Sequence, residues 1–211
     1  TGNFGDIFAG FVAKKLGAPV GRLIIATNEN DILDRAMRTG EYSLADVVPT
    51  QSPSMDIQVS SNFERLLHAA SGGDAALVTQ MMADFKEKHG FTIPAPVRAA
   101  MGEDFSSYRV SQAAVQERMA KTFRETAMLV DPHTAIGLEA TSMARTDGLE
   151  GPVVTLATAH PAKFPAAVNE ATGREPPLPP GCRDLYGREE RYEVIANDLD
   201  DIEARIRQAF G

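Results

Sequence analysis

The sequence predicts an α/β domain with a largely parallel sheet and flanking helices. Short runs rich in β-branched and aliphatic residues, such as residues 22–27 and 153–156, alternate with longer segments in which apolar residues recur at helical spacing. Glycine, proline and short polar clusters separate the two kinds of segment. This alternation is typical of chains whose strands lie parallel in one sheet, with a helix in each connection.

The elements can be placed in chain order. The first part of the chain has a helix over residues 7–16, a strand over 22–27, a helix capped by Asn30 or Asp31 and closed by Gly40, an irregular stretch over 47–61, and a helix that begins at Asn62. Further helices are expected over 74–88 and from Ser111, Pro132 and His160 onward, with strand-like runs at 153–156 and 192–195. A last helix carries Leu199, Ile202, Ile206 and Phe210 on a face that we expect to point inward.

Composition limits the size and the partners of the protein. The 211 residues are 43 % hydrophobic, enough for one sizeable core or for one domain with an appendage. The formal net charge is −8 and no basic block occurs, so we expect neither nucleic acid nor a membrane as a partner. The single cysteine, Cys182, cannot form an internal disulfide, which fits a reducing, cytoplasmic location. The four histidines show no paired ligand spacing, so no metal site is predicted.

The first six residues, Thr-Gly-Asn-Phe-Gly-Asp, come immediately before the first helix. Unpaired backbone N–H groups and the positive end of the helix dipole favour an anion there, and Gly2 and Gly5 would let the main chain approach it closely. Asp6 is suited to capping free N–H groups at the helix start. An ordinary turn with a cap explains the same residues. The spacing matches neither a nucleoside-triphosphate loop nor a dinucleotide-binding loop.

Two further polar residues lie where ligands of α/β proteins are usually bound. Asn28 follows the strand over 22–27, and the carboxyl ends of parallel strands are the edge at which such ligands gather. His133 lies in the turn Asp-Pro-His-Thr and could bind a ligand or transfer protons near neutral pH. For Asn28 a role in capping and turns is an equally consistent interpretation. For His133 the spacing alone favours a capping or structural role.

The sequences of several segments closely resemble those of threonine synthases, which are fold type II pyridoxal-phosphate enzymes with a tryptophan synthase beta-like fold. The resemblance covers essentially the whole chain in order. It is carried by TGNFGD with the following KKLG, by SPSMDI with SNFERLL, by DPHTAIG, and by ATAHPAKF.

The resemblance implies pyridoxal phosphate as cofactor and assigns roles to individual residues. The cofactor phosphate is expected on the loop formed by Gly2, Asn3, Phe4, Gly5 and Asp6, and the hydroxyl of Thr158 is expected at the pyridine nitrogen. Ser54, Asn62 and Arg65 have donor groups suited to the phosphate of the substrate, O-phosphohomoserine; a helix cap and a surface arginine explain the same residues. Asn28 and His133 are expected to contribute to the substrate site. The implied reaction converts O-phosphohomoserine and water to threonine and phosphate.

The main departure from the family is an absence. Threonine synthases hold the cofactor as a Schiff base on a lysine upstream of the phosphate loop, and this chain begins at Thr1, within that loop. We therefore expect residues 1–211 to be the C-terminal part of a pyridoxal-phosphate catalytic domain, inactive without the N-terminal part of the same polypeptide. Within it, a helical insertion is predicted at about 74–125. Two other functions remain open: a related enzyme such as a serine or threonine dehydratase, and a non-catalytic anion-binding module.

Overall fold

The computed structural model describes residues 1–210. The chain divides into a larger compact unit, Thr1–Pro177, and a smaller one that begins at Leu178. The helices of the larger unit are α1 (Gly5–Lys15), α2 (Ile32–Thr39), α3 (Phe63–Ala70), α4 (Ala75–Lys88), α5 (Ala95–Asp104), α6 (Gln112–Thr126), α7 (Pro132–Thr146) and α8 (Pro165–Thr172). Its strands are β1 (Leu23–Thr27), β2 (Glu41–Ser43), β3 (Gly90–Thr92) and β4 (Phe105–Arg109).

The strands β1 and β4 pair in parallel and form the centre of the larger unit. The register runs from Leu23 opposite Phe105 to Thr27 opposite Arg109, so both strands end at the same edge. The smaller pair, β2 and β3, is antiparallel. A parallel pair needs a long crossover connection, and here the chain between β1 and β4 contains four helices. The expected class, α/β with a parallel sheet and flanking helices, is confirmed.

Helices cover both faces of β1 because its side chains alternate between two hydrophobic clusters. Leu23 and Ile25 belong to the cluster that includes residues of α1, α2, α3 and α5. Ile24 and Ala26 lie in the second cluster, which includes residues of α6, α7 and α8. Successive side chains of a strand point to opposite faces, so a strand covered on both faces is apolar throughout. The run Leu-Ile-Ile-Ala in β1 has this property.

Several predicted boundaries are confirmed. The strand expected over 22–27 is β1, and the helix expected to end at Gly40 does so, with Gly40 in the left-handed conformation at φ 84°. Asp74 caps α4 by accepting from the backbone N–H of Leu77, and Ser111 caps α6 by accepting from that of Ala114. These positions agree because capping and left-handed helix ends depend on residues close in sequence.

The strand expected over residues 153–156 is wrong. The segment is irregular, and its apolar side chains face solvent, with Val154 84 % and Leu156 57 % exposed. A strand requires a neighbouring backbone to pair with, and within residues 1–210 the only sheet partner of β1 is β4. The run of β-branched residues therefore adopts no ladder here.

The smaller unit also departs from the prediction. Residues 192–195 form no strand, and only the helix α9 (Leu199–Phe210) appears where expected. Three of the four apolar side chains expected to point inward do not: Leu199 is 69 %, Ile206 55 % and Phe210 90 % exposed, while Ile202 is half-buried. The helix has an amphipathic pattern, and most of its apolar side chains are exposed.

The segment predicted as a helical insertion, residues 74–125, contains α4, α5 and most of α6, together with the strands β3 and β4. It is therefore not wholly helical, and β4 belongs to the central sheet through its pairing with β1. That this segment is an insertion stays a prediction. None of the helices in residues 1–210 combines the length and the hydropathy that a membrane span requires.

Candidate functional site

The loop before α1 lies at the carboxyl end of β1. The main-chain nitrogen of Thr1 donates to the carbonyl oxygen of Ala26, over 2.5 Å. The helix begins at Gly5, so Gly5 and Asp6 form its first turn, and Phe4 occupies the capping position with φ 64°. Among residues 1–6 the positive φ occurs at Phe4 and at neither glycine.

Phe4 can hold this backbone conformation because its side chain is anchored in the core. The ring is 1 % exposed and makes an edge contact with Phe63 at 5.4 Å and a tilted contact with Phe105 at 5.8 Å between centroids. A non-glycine residue in the left-handed region costs about 1–2 kcal/mol. Burial of a phenylalanine side chain stabilises by about 1.5–3 kcal/mol, enough to offset that cost.

The two loop glycines have different surroundings. A Cβ on Gly2 would lie 2.8 Å from the carbonyl oxygen of Ser54 and 3.2 Å from Cα of Met55, both main-chain atoms of the 3₁₀ helix Pro53–Met55. A Cβ on Gly5 would meet only the side-chain amide of Asn62, at 3.7 Å. Gly2 thus packs against protein backbone, while Gly5 is exposed and leaves open space on its outer side.

The second predicted cluster lies against this loop. The side-chain oxygen of Asn3 accepts from both the backbone N–H and the hydroxyl of Ser61, each at 2.7 Å. The amide of Asn62 donates to the carbonyl oxygen of Asn3 at 2.9 Å. Ser54 reaches the loop through its contact with Gly2, whereas Arg65 is exposed on α3. The structure therefore brings Ser54 and Asn62 together with the loop, 50 to 60 residues apart in sequence.

The first turn of α1 retains its N–H donors. No side chain within residues 1–210 caps this helix, and Asp6 is exposed in the first turn without a capping hydrogen bond. The expectation that Asp6 caps the helix is therefore wrong, because the helix begins at Gly5, two residues before the expected start, and so includes Asp6. A helix start without a side-chain cap, preceded by a closely packed backbone, is suited to binding an anion through main-chain N–H groups.

Asn28 is buried and its amide is fully used inside the protein. Its nitrogen lies within hydrogen-bonding distance of the hydroxyls of Thr50 (3.0 Å) and Ser52 (2.9 Å) and of the Asp56 carboxylate (2.7 Å). Its oxygen accepts from the backbone N–H of Asn30 at 2.9 Å. Asp56 also accepts from Asn30 and Thr50. This network ties the end of β1 to residues 50–56, next to the Ser54 backbone that Gly2 contacts.

A carboxylate and an imidazole form a pair at the start of α7. Asp131 is fully buried and accepts from the backbone N–H groups of His133 (3.0 Å) and Thr134 (3.1 Å). Nδ1 of His133 lies 2.7 Å from the same carboxylate. Burial raises the pKa of the Asp131 carboxyl, but the hydrogen bonds from His133 and Thr134 outweigh it, so this pKa lies below its ordinary value of 3.8.

Thr158, the residue expected at the pyridine nitrogen, is exposed in an irregular segment. The same segment lies beside α7: Thr155 and Thr141 hydroxyls are 3.3 Å apart, and a Cβ on Gly137 would approach the Thr155 methyl to 2.7 Å. No hydrogen bond joins Thr158 to residues 1–6 in the part of the chain that the structure describes. The structure therefore brings the loop together with Ser54 and Asn62, but it does not join Thr158 to them.

Sequence reasoning missed three residues of this region. Asp56 and Asp131 organise Asn28 and His133, and Asp131 carried a readable signal, since aspartate directly before proline and a helical pattern is a common cap. The third is Thr27, the last residue of β1. Its hydroxyl is buried and, within residues 1–210, has no hydrogen-bond partner. In the same part of the chain, no three His, Cys, Asp or Glu side chains lie close enough to hold a metal ion.

Comparison with known proteins gives this geometry a context. A family model described as threonine synthase, C-terminal, matches residues 134–206. The threonine synthase of Pseudomonas aeruginosa is 44 % identical over 209 residues, which cover 99 % of this chain and 44 % of that protein. The solved structure of pyridoxal-phosphate-bound threonine synthase from Brucella melitensis superposes with a TM-score of 0.91 at 47 % identity, covering 99 % of this chain and 44 % of that one.

The chain is similar to threonine synthases along essentially its whole length. The yeast threonine synthase structure agrees, with a TM-score of 0.88 and 35 % identity over 99 % of this chain and 46 % of that one. The expected fold class, part of a fold type II α/β domain, is thus confirmed. The chain spans less than half the length of these threonine synthases.

Proposed function

We propose that this chain is part of a threonine synthase, an enzyme that converts O-phosphohomoserine and water to threonine and phosphate. The observation that carries the proposal is the 44 % identity to a threonine synthase over 99 % of the chain. Identity at this level over nearly the whole chain supports a shared reaction as well as a shared fold. The remaining part of the same polypeptide would supply the lysine that holds the cofactor.

The residues of the loop fit pyridoxal phosphate as cofactor. Backbone N–H groups of Gly2, Asn3, Phe4, Gly5 and Asp6 would hold its phosphate. In support, no side chain in residues 1–210 caps α1, and no lysine or arginine precedes Lys14, so a dianion would depend on main-chain donors. Thr158 would donate its hydroxyl to the ring nitrogen. When bound, the cofactor would supply the electron sink for removal of a proton from the amino-bearing carbon and then from the carbon next to it.

The phosphate of the substrate would lie on the other side of the loop. Ser54 and Asn62 contact the loop backbone, and Arg65, exposed on α3, can add a charged donor. Asn28 would act indirectly, because its amide is committed to Thr50, Ser52 and Asp56 and thereby holds residues 50–56 in place. His133 would contact the substrate through the ring nitrogen that faces away from Asp131.

Product analysis with the full-length protein tests the reaction. Incubation with O-phosphohomoserine should release threonine and phosphate in equal amounts, while serine and threonine should give no oxo-acid. Release of oxo-acids without threonine formation would instead assign the protein to the dehydratases. A full-length protein that binds phosphate but neither absorbs in the near-visible range after incubation with pyridoxal phosphate nor forms product would be an anion-binding module.

The phosphate loop is tested by a cofactor titration. In the full-length protein, Gly5→Val should weaken pyridoxal phosphate binding by roughly tenfold or more, about the value of one lost hydrogen bond, because a branched side chain holds the phosphate off the helix start. Gly102→Val is the matched control: Gly102 also lies in a helix and a Cβ there meets nothing within 4 Å. Binding by Gly5→Val as tight as by Gly102→Val would place the phosphate elsewhere.

The remaining parts of the proposal concern partners and location. The partner of this chain is the N-terminal part of the same polypeptide, and the ligands are small molecules rather than nucleic acid or lipid. The negative net charge supports this, as does the lack of a basic block in the sequence. A cytoplasmic location is supported by Cys182, the only cysteine of the chain, which has no internal partner for a disulfide.

A further inference from the structure

The pair formed by Asp131 and His133 has more hydrogen bonds than a helix cap requires. One carboxylate oxygen accepts from the backbone N–H and the hydroxyl of Thr134. The other accepts from the backbone N–H of His133 and lies 2.7 Å from Nδ1 of the same residue. The backbone contacts cap α7, but the contact to Nδ1 does not serve the helix.

The contact at Nδ1 determines the state of the imidazole. An ionised carboxylate can only accept hydrogen bonds, so Nδ1 must carry a proton. In the neutral ring Nε2 is then unprotonated and is a hydrogen-bond acceptor. The low pKa of Asp131 agrees with an ionised carboxylate at neutral pH.

The acceptor at Nε2 is buried and unused. The side chain of His133 is 7 % exposed, and Nε2 has no hydrogen-bond partner within residues 1–210. The Phe164 ring packs on the imidazole at 4.7 Å between centroids and restricts its rotation. A buried polar atom without a partner costs about 1–3 kcal/mol. Nε2 is therefore suited to accept a hydrogen bond from a donor group on a bound ligand.

The position of the pair in the fold connects it to the candidate site. Val130, directly before Asp131, lies in one hydrophobic cluster with Ala26 of β1 and with Val110, which follows β4. Met55 of the 3₁₀ helix beside Gly2 belongs to the same cluster. The start of α7 therefore lies at the edge where both strands end, the edge that also carries the loop before α1.

We propose that Asp131 is a positioning residue: it holds His133 with the proton on Nδ1 and so presents Nε2 as an acceptor to an N–H or O–H group of the bound amino-acid substrate. This inference rests on the proposed function only for the identity of that ligand. The state of the imidazole follows from residues 131–134 themselves.

Nitrogen NMR of the full-length protein, labelled with ¹⁵N-histidine, tests the imidazole directly. The signals of His133 are assigned by their loss in His133→Gln. We expect a protonated Nδ1 and an unprotonated Nε2, and a change at Nε2 on addition of L-threonine, which carries both kinds of donor. A proton on Nε2 in the unsubstituted protein would overturn the proposal, as would an Nε2 signal that threonine leaves unchanged.

The substitution Asp131→Asn separates positioning from capping. Asparagine caps helices about as well as aspartate, so α7 should persist, but its amide can present N–H groups to Nδ1 and favour the proton on Nε2. The control is Asp74→Asn, at the cap of α4, where no histidine contacts the carboxylate. We expect the tautomer to change in Asp131→Asn and to stay the same in Asp74→Asn. An unchanged tautomer in Asp131→Asn would contradict the positioning role.

Kinetics show whether Asp131 acts through His133. Both Asp131→Asn and His133→Gln should lower kcat/KM for O-phosphohomoserine by roughly tenfold, the value of about one hydrogen bond, and the double variant should lose no more than His133→Gln alone. Fully multiplicative losses would show that the two residues act separately. If the full-length protein makes no threonine, the proposed function fails, while the NMR measurement still decides the state of His133.

Discussion

Residues of the loop before α1 have different structural roles, which their neighbouring positions in the sequence do not reveal. Phe4 takes the left-handed turn and anchors it in the core. Asn3 fastens the loop to Ser61 and Asn62, and Gly2 allows the backbone of Ser54 to approach. Gly5 is exposed, and a Cβ there would meet only the side-chain amide of Asn62. The loop is therefore held in shape by protein contacts, and its outer surface is left available for a ligand.

The close approach at Gly2 leads to a prediction about stability. Gly2→Ala should lower the free energy of unfolding of the full-length protein by about 1–3 kcal/mol, because its Cβ would overlap main-chain atoms that cannot move aside independently. Gly21→Ala, where a Cβ meets nothing within 4 Å, should stay within about 0.5 kcal/mol of the unsubstituted protein. Urea unfolding of both variants measures the difference. Equal stability of the two variants would mean that the loop and residues 53–55 are not in contact.

At the scale of secondary-structure elements, the helix starts show which features of helix capping depend only on residues nearby in the sequence. Asp74 and Ser111 cap α4 and α6 with their side chains, as expected from their sequence positions. Asp31 and Asn62 also stand at helix starts, but their side chains bond elsewhere, Asp31 to Arg35 and Asn62 to the carbonyl of Asn3. A sequence indicates where a helix begins, while competing partners determine where the side chain of the first residue bonds.

The cap of α7 should make stability depend on pH. The pKa of Asp131 is lower in the folded state than its ordinary value of 3.8, so its contribution is fully present above that value and is lost as the pH falls through the folded pKa. At pH 7, Asp131→Ala should reduce the free energy of unfolding by about 2 kcal/mol, through the lost cap and the unpaired Nδ1 of His133. Unfolding curves recorded at successively lower pH should show a decreasing difference in the free energy of unfolding between Asp131→Ala and the unsubstituted protein. A difference that stays constant down to acid pH would mean that Asp131 is not ionised in the folded protein.

For the whole molecule, the two units differ in what they bury. The larger unit has apolar clusters on both faces of β1, while in the smaller unit the apolar residues of α9 remain exposed. Helices shorter than about 12–15 residues are marginal in water without tertiary packing, and α9 has 12 residues. Its stability in this chain therefore depends on local ion pairs such as that between Arg207 and Glu203.

Hydrogen exchange should reveal this contrast. In the 211-residue chain, the backbone amides of α9 (Leu199–Phe210) should exchange at least about a hundredfold faster than those of α7 (Pro132–Thr146), whose inner face is fully buried at Ala135, Ile136 and Ala140. The two helices are of similar length, which makes α7 a suitable internal reference. Mass spectrometry of peptides from both helices gives the ratio. Comparable protection in α9 would show that its apolar face is covered.

The sequence by itself determined the fold class and the positions of most of the helices. Periodicity and caps depend on residues within a few positions of one another, so β1, the end of α2 at Gly40 and the starts of α4 and α6 could be predicted. The motif at residues 1–6 and its likeness to threonine synthases predict an anion site before α1, and this stays a prediction.

Only the tertiary structure decided what those residues contact. Asn3 and Ser61 are 58 positions apart, and Asn28 bonds Ser52 and Asp56 across 24 and 28 positions, which no local pattern encodes. Apolar composition made residues 153–156 a strand candidate, but a strand forms only where another backbone pairs with it. Similarly, residues 2 and 5 are both glycine in the sequence. Only Gly2 is required for packing, because the backbone of Ser54 and Met55 approaches it closely. Hydrogen bonds and close packing are short-range in space, so they are determined only when the fold brings distant parts of the chain together.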